Sequence, residues 1–138
     1  MVITGQITIE TMGDGDMLNI TEDVAGQVAR ANIVSGTVTL FVAGSTAGVT
    51  TIEYEPGLKS DFAALWDRII PRNLAYKHDA RWGDNNGYAH VRASLLGPSL
   101  VVPFREKKLL LGTWQQIIVV DFDNHPRHRE IILQIMGE

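Results

Sequence analysis

The chain has 138 residues, of which 45% are apolar and 20% are charged, and it carries a formal net charge of −4 at pH 7. This length and composition predict a single globular domain over residues 1–138 with its own hydrophobic core, and they exclude a chain that is mainly disordered. Because the sequence contains no cysteine, disulfides, thiolate catalysis and sulfur-ligated zinc are excluded, and any metal would need histidine and carboxylate ligands.

The first part of the chain has the patterns of three strands and one helix. Residues 3–10 alternate apolar and polar side chains, which predicts a half-buried strand, and the glycine-rich segment 13–16 ends it with a turn. A capping threonine and two acids at the start of residues 21–32 predict a helix. The apolar, β-branched run 37–42 predicts a strand buried on both faces, and residues 49–55 predict a further strand.

The segment 43–48, which carries two glycines, has two interpretations. Its backbone N–H groups, together with Ser45 and Thr46, could approach an anion as they do in a nest. It could equally be a bend or bulge between two strands. Glu53 and Glu55 share one face of the following strand, where they could bind a cation or form the solvent side of an edge.

Two further helices are predicted in the middle of the chain. Apolar residues at helical spacing, among them Phe62 and Trp66, predict a helix over 58–70 whose aromatic side chains belong to the core. Pro71 ends this helix. After a polar loop, residues 89–96 suit a short third helix that stops at a Gly-Pro pair.

The rest of the chain is predicted to be strands joined by short turns. Residues 99–104 and 109–116 form one pair around a charged turn, and residues 117–122 and 131–135 form a hairpin through 123–127. Short connections favour antiparallel pairing. The predicted fold class is therefore α+β, with a largely antiparallel sheet or sandwich core and about three helices.

The segment 78–90 is the strongest candidate for chemistry. It holds two of the four histidines together with acids, amides, an arginine and a tryptophan, and two glycines interrupt any regular pattern. Polar loops between ordered elements often carry function, although Asp-Asn-Asn-Gly is also typical of a simple surface turn. His78 and His90, with Asp79 and Asp84, could converge if the loop doubles back. The alternative is that each histidine is a hydrogen-bonded structural group.

Charge and motifs limit the partners and the catalytic classes. The negative net charge argues against a general nucleic-acid binder, because phosphate neutralisation requires a concentrated basic face. No apolar stretch approaches the roughly 20 residues of a membrane helix, and no signal-peptide pattern is present, so we expect a cytoplasmic protein without membrane contact. The sequence has no Gly-x-Ser-x-Gly elbow, phosphate loop or dinucleotide fingerprint, which disfavours the common covalent and nucleotide-hydrolysing classes.

Four segments together resemble the YjbQ-like family. They are residues 45–53, 76–79, 89–99 and 111–116, and they include the blocks His-x-x-x-Ser-Leu-Leu-Gly-Pro-Ser and Leu-Gly-Thr-Trp-Gln. The blocks occur in the family's order and cover nearly the whole chain. The resemblance implies a compact α+β subunit that assembles as a homotrimer, with sites near subunit boundaries.

The resemblance also implies an activity. Family members, long catalogued as uncharacterised, are named secondary thiamine-phosphate synthases. That transferase reaction joins a hydroxymethylpyrimidine diphosphate to a thiazole phosphate and expels pyrophosphate. A non-enzymatic trimer that binds a metal or a small phosphorylated metabolite is the alternative that the same residues allow.

Residue roles follow by position within the resemblance. We predict that His78, His90 and Asp84 bind a divalent cation such as Mg²⁺ or Zn²⁺, or the diphosphate itself, and that Glu53 completes the catalytic set. Contacts to the phosphorylated substrate are expected from Ser45, Thr46, Trp82, Asn85, Asn86, Arg92, Ser94, Trp114 and Gln115. Many relatives have His-Thr-Ser where this chain has Gly44, Ser45 and Thr46, so a site built on three histidines would lose one ligand here.

Overall fold

The structure is a computed structural model that describes residues 1–138, and it contains eight strands and four helices. In chain order the elements are β1 (Val2–Thr11), β2 (Asp16–Asn19), α1 (Thr21–Arg30), β3 (Gly36–Val42), β4 (Ala47–Glu53), α2 (Pro56–Ile69), α3 (Lys77–Trp82), α4 (Gly87–Leu96), β5 (Ser99–Arg105), β6 (Lys108–Leu109), β7 (Gln115–Asp121) and β8 (Arg127–Gly137). The strands form a five-stranded sheet, in the order β1-β8-β3-β5-β6, and a three-stranded sheet, in the order β2-β7-β4. Every strand pair is antiparallel, which confirms the predicted α+β class.

The hydrophobic core has two parts because β7 is buried on both faces. Ile117 and Val119 point into the principal core, which is formed by both sheets and α1. Ile118 and Val120 alternate to the other face and pack, with Phe122, under α2 and α4. The three-stranded sheet therefore lies between the five-stranded sheet and a helical layer.

The predicted hairpin of the last two strands is wrong. β7 pairs with β2 and β4, whereas β8 pairs with β1 and β3, so residues 122–126 cross from one sheet to the other. The physical reason is the burial pattern. β7 is apolar on both faces and needs a covering layer on each side, whereas β8 buries alternate residues only.

The structure tests two predictions, one about the burial of β3 and one about the segment that follows it. β3 is not buried on both faces, because Val38, Leu40 and Val42 face the core while Phe41 is 47% exposed. The segment 43–46 crosses to β4 in the other sheet, and none of its residues has a positive φ, so the αR–αL form of a nest is absent. The interpretation as a bend between strands is confirmed.

The helices differ from the prediction in their number and in how many of their apolar side chains are buried. A fourth helix, α3, lies inside the segment predicted to be a loop. In α2, Trp66 is buried and Phe62 packs beside it, whereas Leu65 and Ile69 remain exposed. Before α2, the Glu55 carboxylate accepts hydrogen bonds from the N–H groups of residues 57 and 58, so Glu55 is a helix cap.

Two further points complete the comparison with the predicted elements. The strand predicted over 109–116 is reduced to the two residues of β6 and to the start of β7. None of the four helices combines the length and the apolar character that crossing a bilayer requires.

Candidate functional site

The candidate site is built where α3 and the start of α4 fold against each other. Gly83 ends α3 with a left-handed φ of 72°, and Asn85 adopts a φ of 57°, so the chain reverses between the two helices. The backbone N–H of Gly87 then donates to Asp79 Oδ1 at 2.8 Å. A Cβ on residue 87 would lie 2.8 Å from the Cβ of Tyr76 and 3.2 Å from that of His78, so only glycine permits this approach.

This reversal brings His78, Asp79, Asp84 and His90 together, and we call these four residues the histidine-carboxylate cluster. His78 Nδ1 lies 3.3 Å from Asp79 Oδ1 and 3.4 Å from Asp84 Oδ1. The His90 ring lies beside that of His78, with 4.5 Å between the ring centroids and 40° between the planes. Two of the three sequence-predicted metal ligands, His78 and Asp84, therefore lie at ligand distance from each other, and the third, His90, lies beside the His78 ring.

Asp79 is a candidate that the sequence indicated but that was not among the three predicted metal ligands. One ligand atom from each of His78, Asp79 and Asp84 lies within 4.8 Å of the other two, and His90 is outside this closest set. The signal for Asp79 was its position directly after a histidine, in a segment already suspected of chemistry. Its second function, as acceptor for the N–H of Gly87, becomes visible only in the folded chain.

The geometry and chemistry of the cluster fit a divalent cation. Ligand atoms that share one metal at bonds of about 2.1 Å are separated by about 3.0 Å in octahedral and about 3.4 Å in tetrahedral coordination. The two Nδ1 to Oδ1 distances from His78, 3.3 and 3.4 Å, lie near the tetrahedral value, and all three ligand atoms lie within 4.8 Å of one another. One imidazole nitrogen with two carboxylate oxygens suits Mg²⁺, Mn²⁺ or Zn²⁺. The side chains are 30%, 17% and 51% exposed for His78, Asp79 and Asp84, so an ion can reach them.

A buried polar network at the end of β7 holds the segment that carries the cluster. Asp123 Oδ2 accepts from the Thr46 hydroxyl at 2.8 Å, and Asp123 Oδ1 accepts from Asn86 Nδ2 at 3.2 Å. The neighbouring Asn124 donates to the carbonyl oxygen of Asp84 at 2.9 Å. Burial by itself raises the pKa of Asp123, but hydrogen bonds from Thr46, the Asn124 backbone and Asn86 outweigh it and lower the pKa to about 2. The turn after β7 therefore carries a negative charge that holds the loop of the cluster.

The network extends to Arg129 and to Gly44. Arg129 donates to both oxygens of Asp121, at 2.7 and 2.9 Å, and also to the Thr46 hydroxyl. Burial raises the pKa of Asp121, but hydrogen bonds from Arg129 and Thr11 more than offset it and leave that pKa lowered. A Cβ on Gly44 would lie 2.5 Å from Arg129 Nη1, so the guanidinium occupies the space into which a side chain at residue 44 would extend.

Several predicted substrate-binding residues lie near the cluster or its supports. Ser45 and Ser94 line one shallow cavity of about 350 Å³ with Gly44. Ser94 shares a face of α4 with His90 and donates to its carbonyl oxygen at 2.8 Å. Thr46, by contrast, is buried with its hydroxyl committed to the network.

The two asparagines of the segment 78–90 differ in burial, and its tryptophan is exposed. Asn85 is exposed, whereas Asn86 is buried and its Oδ1 has no hydrogen-bond partner. Trp82 lies one helical turn after His78 on α3 and is 65% exposed.

Other predicted residues lie elsewhere in the subunit. β4 pairs with β7 so that Ala47 faces Asp121 and Glu53 faces Gln115. Six residues along a strand span about 20 Å, so Glu53, Gln115 and the neighbouring Trp114 lie at the end of the sheet away from the Asp121 network. Glu53 and Trp114 line a separate groove there.

Arg92 is also separated from the cluster. Its side chain is 6% exposed, and it donates to the Ile70 carbonyl oxygen at 2.9 Å and to Asp67 at 3.3 Å. It lies about 200° round α4 from His90, in a different cavity. The structure therefore does not bring Arg92 to the histidines.

Comparison with known proteins places this chain in a family. Residues 5–138 match the family model described as UPF0047 protein YjbQ-like. The chain belongs to the YjbQ-like UPF0047 family. A UPF0047 protein from Archaeoglobus fulgidus is 34% identical over 131 residues, covering 95% of this chain and 99% of the relative. The UPF0047 protein YugU from Bacillus subtilis is 32% identical over 133 residues, covering 95% and 97%.

Solved structures of YjbQ-like proteins share the whole fold. A YbjQ-like protein of unknown function from Sulfolobus solfataricus superposes with a TM-score of 0.94 at 34% identity, covering 100% of this chain and 99% of the other. A hypothetical protein from Aeropyrum pernix gives 0.90 at 31% identity, with 99% of each chain covered. Neither name assigns an activity.

Proposed function

We propose that this YjbQ-like protein uses a divalent cation at the histidine-carboxylate cluster to transfer a pyrimidine-methyl group from a diphosphate ester to a thiazole phosphate, the thiamine-phosphate synthase type of reaction. The observation that carries the proposal is the convergence of His78, Asp79 and Asp84, whose ligand atoms lie within 4.8 Å of one another. The resemblance to named secondary thiamine-phosphate synthases supplies the reaction, and the cluster supplies what that reaction needs.

The chemistry requires stabilisation of a leaving group rather than proton transfer at the nucleophile. The thiazole nitrogen lone pair forms the new C–N bond, the C–O bond to the diphosphate breaks, and its electron pair leaves with pyrophosphate. A bound divalent cation would supply charge stabilisation for that leaving group. His78, Asp79 and Asp84 are the residues that would hold the cation, and His90, beside His78, is the residue that we propose donates to a phosphate oxygen.

The surroundings of the cluster suit the two substrates. Ser45 and Ser94 border an open cavity on the side of α4 that carries His90. The Ser45 hydroxyl can donate to phosphate there, whereas the Ser94 hydroxyl would first have to leave the His90 carbonyl oxygen. Trp82 is exposed four residues after His78, on the same helical face. Its indole is the surface that we propose stacks on the pyrimidine ring.

Calorimetric titration of Mn²⁺, Mg²⁺ and Zn²⁺ tests the cation site directly. We expect Asp84→Asn and His78→Ala to weaken binding of the preferred ion by about tenfold or more, because each removes one of three protein ligands. His128→Ala is the matched control, since His128 is exposed on β8 and pairs with Glu10. Unchanged affinity in both cluster variants would contradict the cation site.

Pyrophosphate release from the two substrates tests the reaction separately. The wild-type chain should release pyrophosphate only when both the pyrimidine diphosphate and the thiazole phosphate are present. Asp84→Asn should lower kcat/KM in parallel with its loss of cation affinity. A chain that binds the cation through the cluster yet releases no pyrophosphate would overturn the transferase.

That second outcome would favour the alternative, a trimeric binder of a metal or a small phosphorylated metabolite. One observation supports it. Arg129 packs against Gly44 where many relatives carry histidine, and the Thr46 hydroxyl is buried, so this edge of the site offers no third imidazole. A binder needs donors and a stacking surface, and the cluster with Trp82 supplies both.

We also propose that the subunit works in the cytoplasm as a homotrimer. No helix covers the outer face of the five-stranded sheet, where Phe41 is 47% and Val101 is 57% exposed. These side chains are diagonal neighbours on β3 and β5 and form an exposed apolar pair, which is a feature found at subunit contacts. Sedimentation equilibrium should give three times the subunit mass, and a single-subunit mass at all concentrations would contradict the trimer.

A further inference from the structure

A second cavity lies on the opposite side of α4 from the histidine-carboxylate cluster. It has a volume of about 140 Å³ and is enclosed by α2, α4 and the turn between β1 and β2. Trp66, Arg72, Tyr88 and Arg92 line it, and we call it the arginine pocket. Tyr88 and Arg92 are four residues apart and share one face of α4, about 200° from His90.

Two residues of the arginine pocket, Trp66 and Arg92, have N–H donors without an acceptor. Trp66 is 5% exposed, and its Nε1 has no hydrogen-bond partner. Buried N–H groups in native proteins are almost always paired, so this one calls for an acceptor. Arg92 is 5% exposed and uses only its Nε, towards Ile70, and one Nη, towards Asp67, out of five N–H donors.

Arg72 and Tyr88 carry the donors on the other side of the pocket. Arg72 Nη2 donates to the Tyr88 hydroxyl at 2.6 Å and also to Asp14. Burial lowers the pKa of Arg72, but hydrogen bonds to Asp14 and Tyr88 offset it and leave that pKa raised. Burial raises the pKa of Tyr88. The pocket therefore presents two guanidinium cations and a neutral hydroxyl at neutral pH.

Two carboxylates of the chain itself accept hydrogen bonds from the arginines of the pocket. Asp14 bonds Arg72 and Asp67 bonds Arg92, yet their side chains are 56% and 70% exposed, so both lie at the rim and can turn outward. The walls between them are apolar and include Met17, Ala63 and Phe122. A molecule with a carboxylate head and an apolar body would satisfy both parts of the pocket.

The size of the cavity limits that body to about one ring. A dry cavity of about 150 Å³ accommodates benzene in proteins, and the arginine pocket measures about 140 Å³. We propose that the arginine pocket binds a small aromatic carboxylate, with its carboxylate between Arg72 and Arg92 and with the Trp66 indole N–H donating to it. The site is independent of the proposed transferase, because no residue of the cluster lines it.

Benzoate is the probe, and the three tryptophans of the chain are the reporters. In two-dimensional ¹H–¹⁵N NMR spectra, each indole N–H gives one signal, assigned from the variants Trp66→Phe, Trp82→Phe and Trp114→Phe. We expect benzoate to shift the Trp66 signal saturably and to leave those of the exposed Trp82 and Trp114 in place. No shift of Trp66, or equal and unsaturated shifts of all three signals, would overturn the proposal.

Two substitutions at the rim of the arginine pocket are expected to change benzoate affinity in opposite directions. Arg72→Gln removes a charge-assisted donor and should weaken binding by about tenfold. Asp14→Asn removes the competing carboxylate and should tighten binding by about two- to fivefold. Asparagine suits the left-handed φ of 54° at residue 14, so the fold is retained.

Controls separate this pocket from general charge effects and from the cluster. Asp23→Asn removes the same charge at an exposed position of α1 and should leave benzoate affinity unchanged. Asp84→Asn should also leave it unchanged, so failure of the cation site and failure of this pocket are distinguishable. Inorganic phosphate is the competing probe, and a Trp66 shift by phosphate that equals or exceeds the benzoate shift would overturn the carboxylate assignment.

Discussion

Replacement of Asp123 by asparagine tests whether a carboxylate charge holds the network below the histidine-carboxylate cluster. Asp123 is fully buried, and it accepts hydrogen bonds from the side chains of Thr46, Asn86 and Arg127. Burial opposes the charge, but the hydrogen bonds from Thr46, the Asn124 backbone and Asn86 lower its pKa from 3.8 to about 2. That difference corresponds to about 2.5 kcal/mol of folding stability at neutral pH.

The sign of the pH dependence follows from the lowered pKa. The stabilisation by Asp123 is fully present above its unfolded pKa of 3.8 and is lost as the pH falls through about 2. The same relation leaves about 1.3 kcal/mol at about pH 3. Asp123→Asn should therefore lower the free energy of unfolding by at least about 2.5 kcal/mol at neutral pH, and this difference from wild type should shrink by about half at about pH 3.

Urea denaturation, followed by tryptophan fluorescence across this pH range, measures the difference. Asp23→Asn, an exposed change on α1, is the control and should shift the free energy of unfolding by less than about 0.5 kcal/mol. A deficit in Asp123→Asn that is equal at every pH would show that shape or hydrogen-bond direction, and not charge, carries the effect. A variant as stable as wild type would refute the role of the network altogether.

Two glycine substitutions probe the site by adding a single methyl group. In Gly87→Ala the new Cβ meets the Cβ of Tyr76 at 2.8 Å, so chemical denaturation should show a loss of about 1–3 kcal/mol, and titration should show weaker cation binding as α3 and α4 separate. In Gly44→Ala the neighbour is the end of the Arg129 side chain, so the expected loss is smaller, about 1 kcal/mol, and cation binding should be retained. Equal effects in the two variants would contradict the idea that α3–α4 packing shapes the cluster.

The periodic elements were predictable because burial of one face of a strand or helix gives the sequence a regular spacing of apolar residues. β1 and α1 have clear two-residue and helical periods, and each appears close to its predicted bounds. The pairing of β7 was missed although its signal was present, since residues 117–120 are apolar at every position, whereas residues 131–135 belong to a strand that buries alternate residues. α3 was missed because a six-residue helix has little intrinsic stability and depends on tertiary contacts.

The site was predictable only where its parts are close in the chain. His78 and His90 meet because a short segment reverses between them, and polar loop composition indicates such a reversal. Glu53 and Trp114 were grouped with the histidines through shared family blocks, which say nothing about position within the fold. The β4–β7 register places them at the other end of the sheet. Only an arrangement in which a neighbouring subunit supplies that end would unite the two groups.

The same limit applies to Gly44, whose meaning depends on a residue 85 positions later. A methyl group at residue 44 requires only the Nη1 end of Arg129 to shift, but a longer side chain such as imidazole would fill the space of the guanidinium that pairs with the buried Asp121. A buried carboxylate that loses its cation is strongly destabilising. Glycine at 44 and the Arg129–Asp121 pair therefore act as one unit. Introducing a third imidazole at this position requires rebuilding the polar network beneath the cluster as well as adding a ligand.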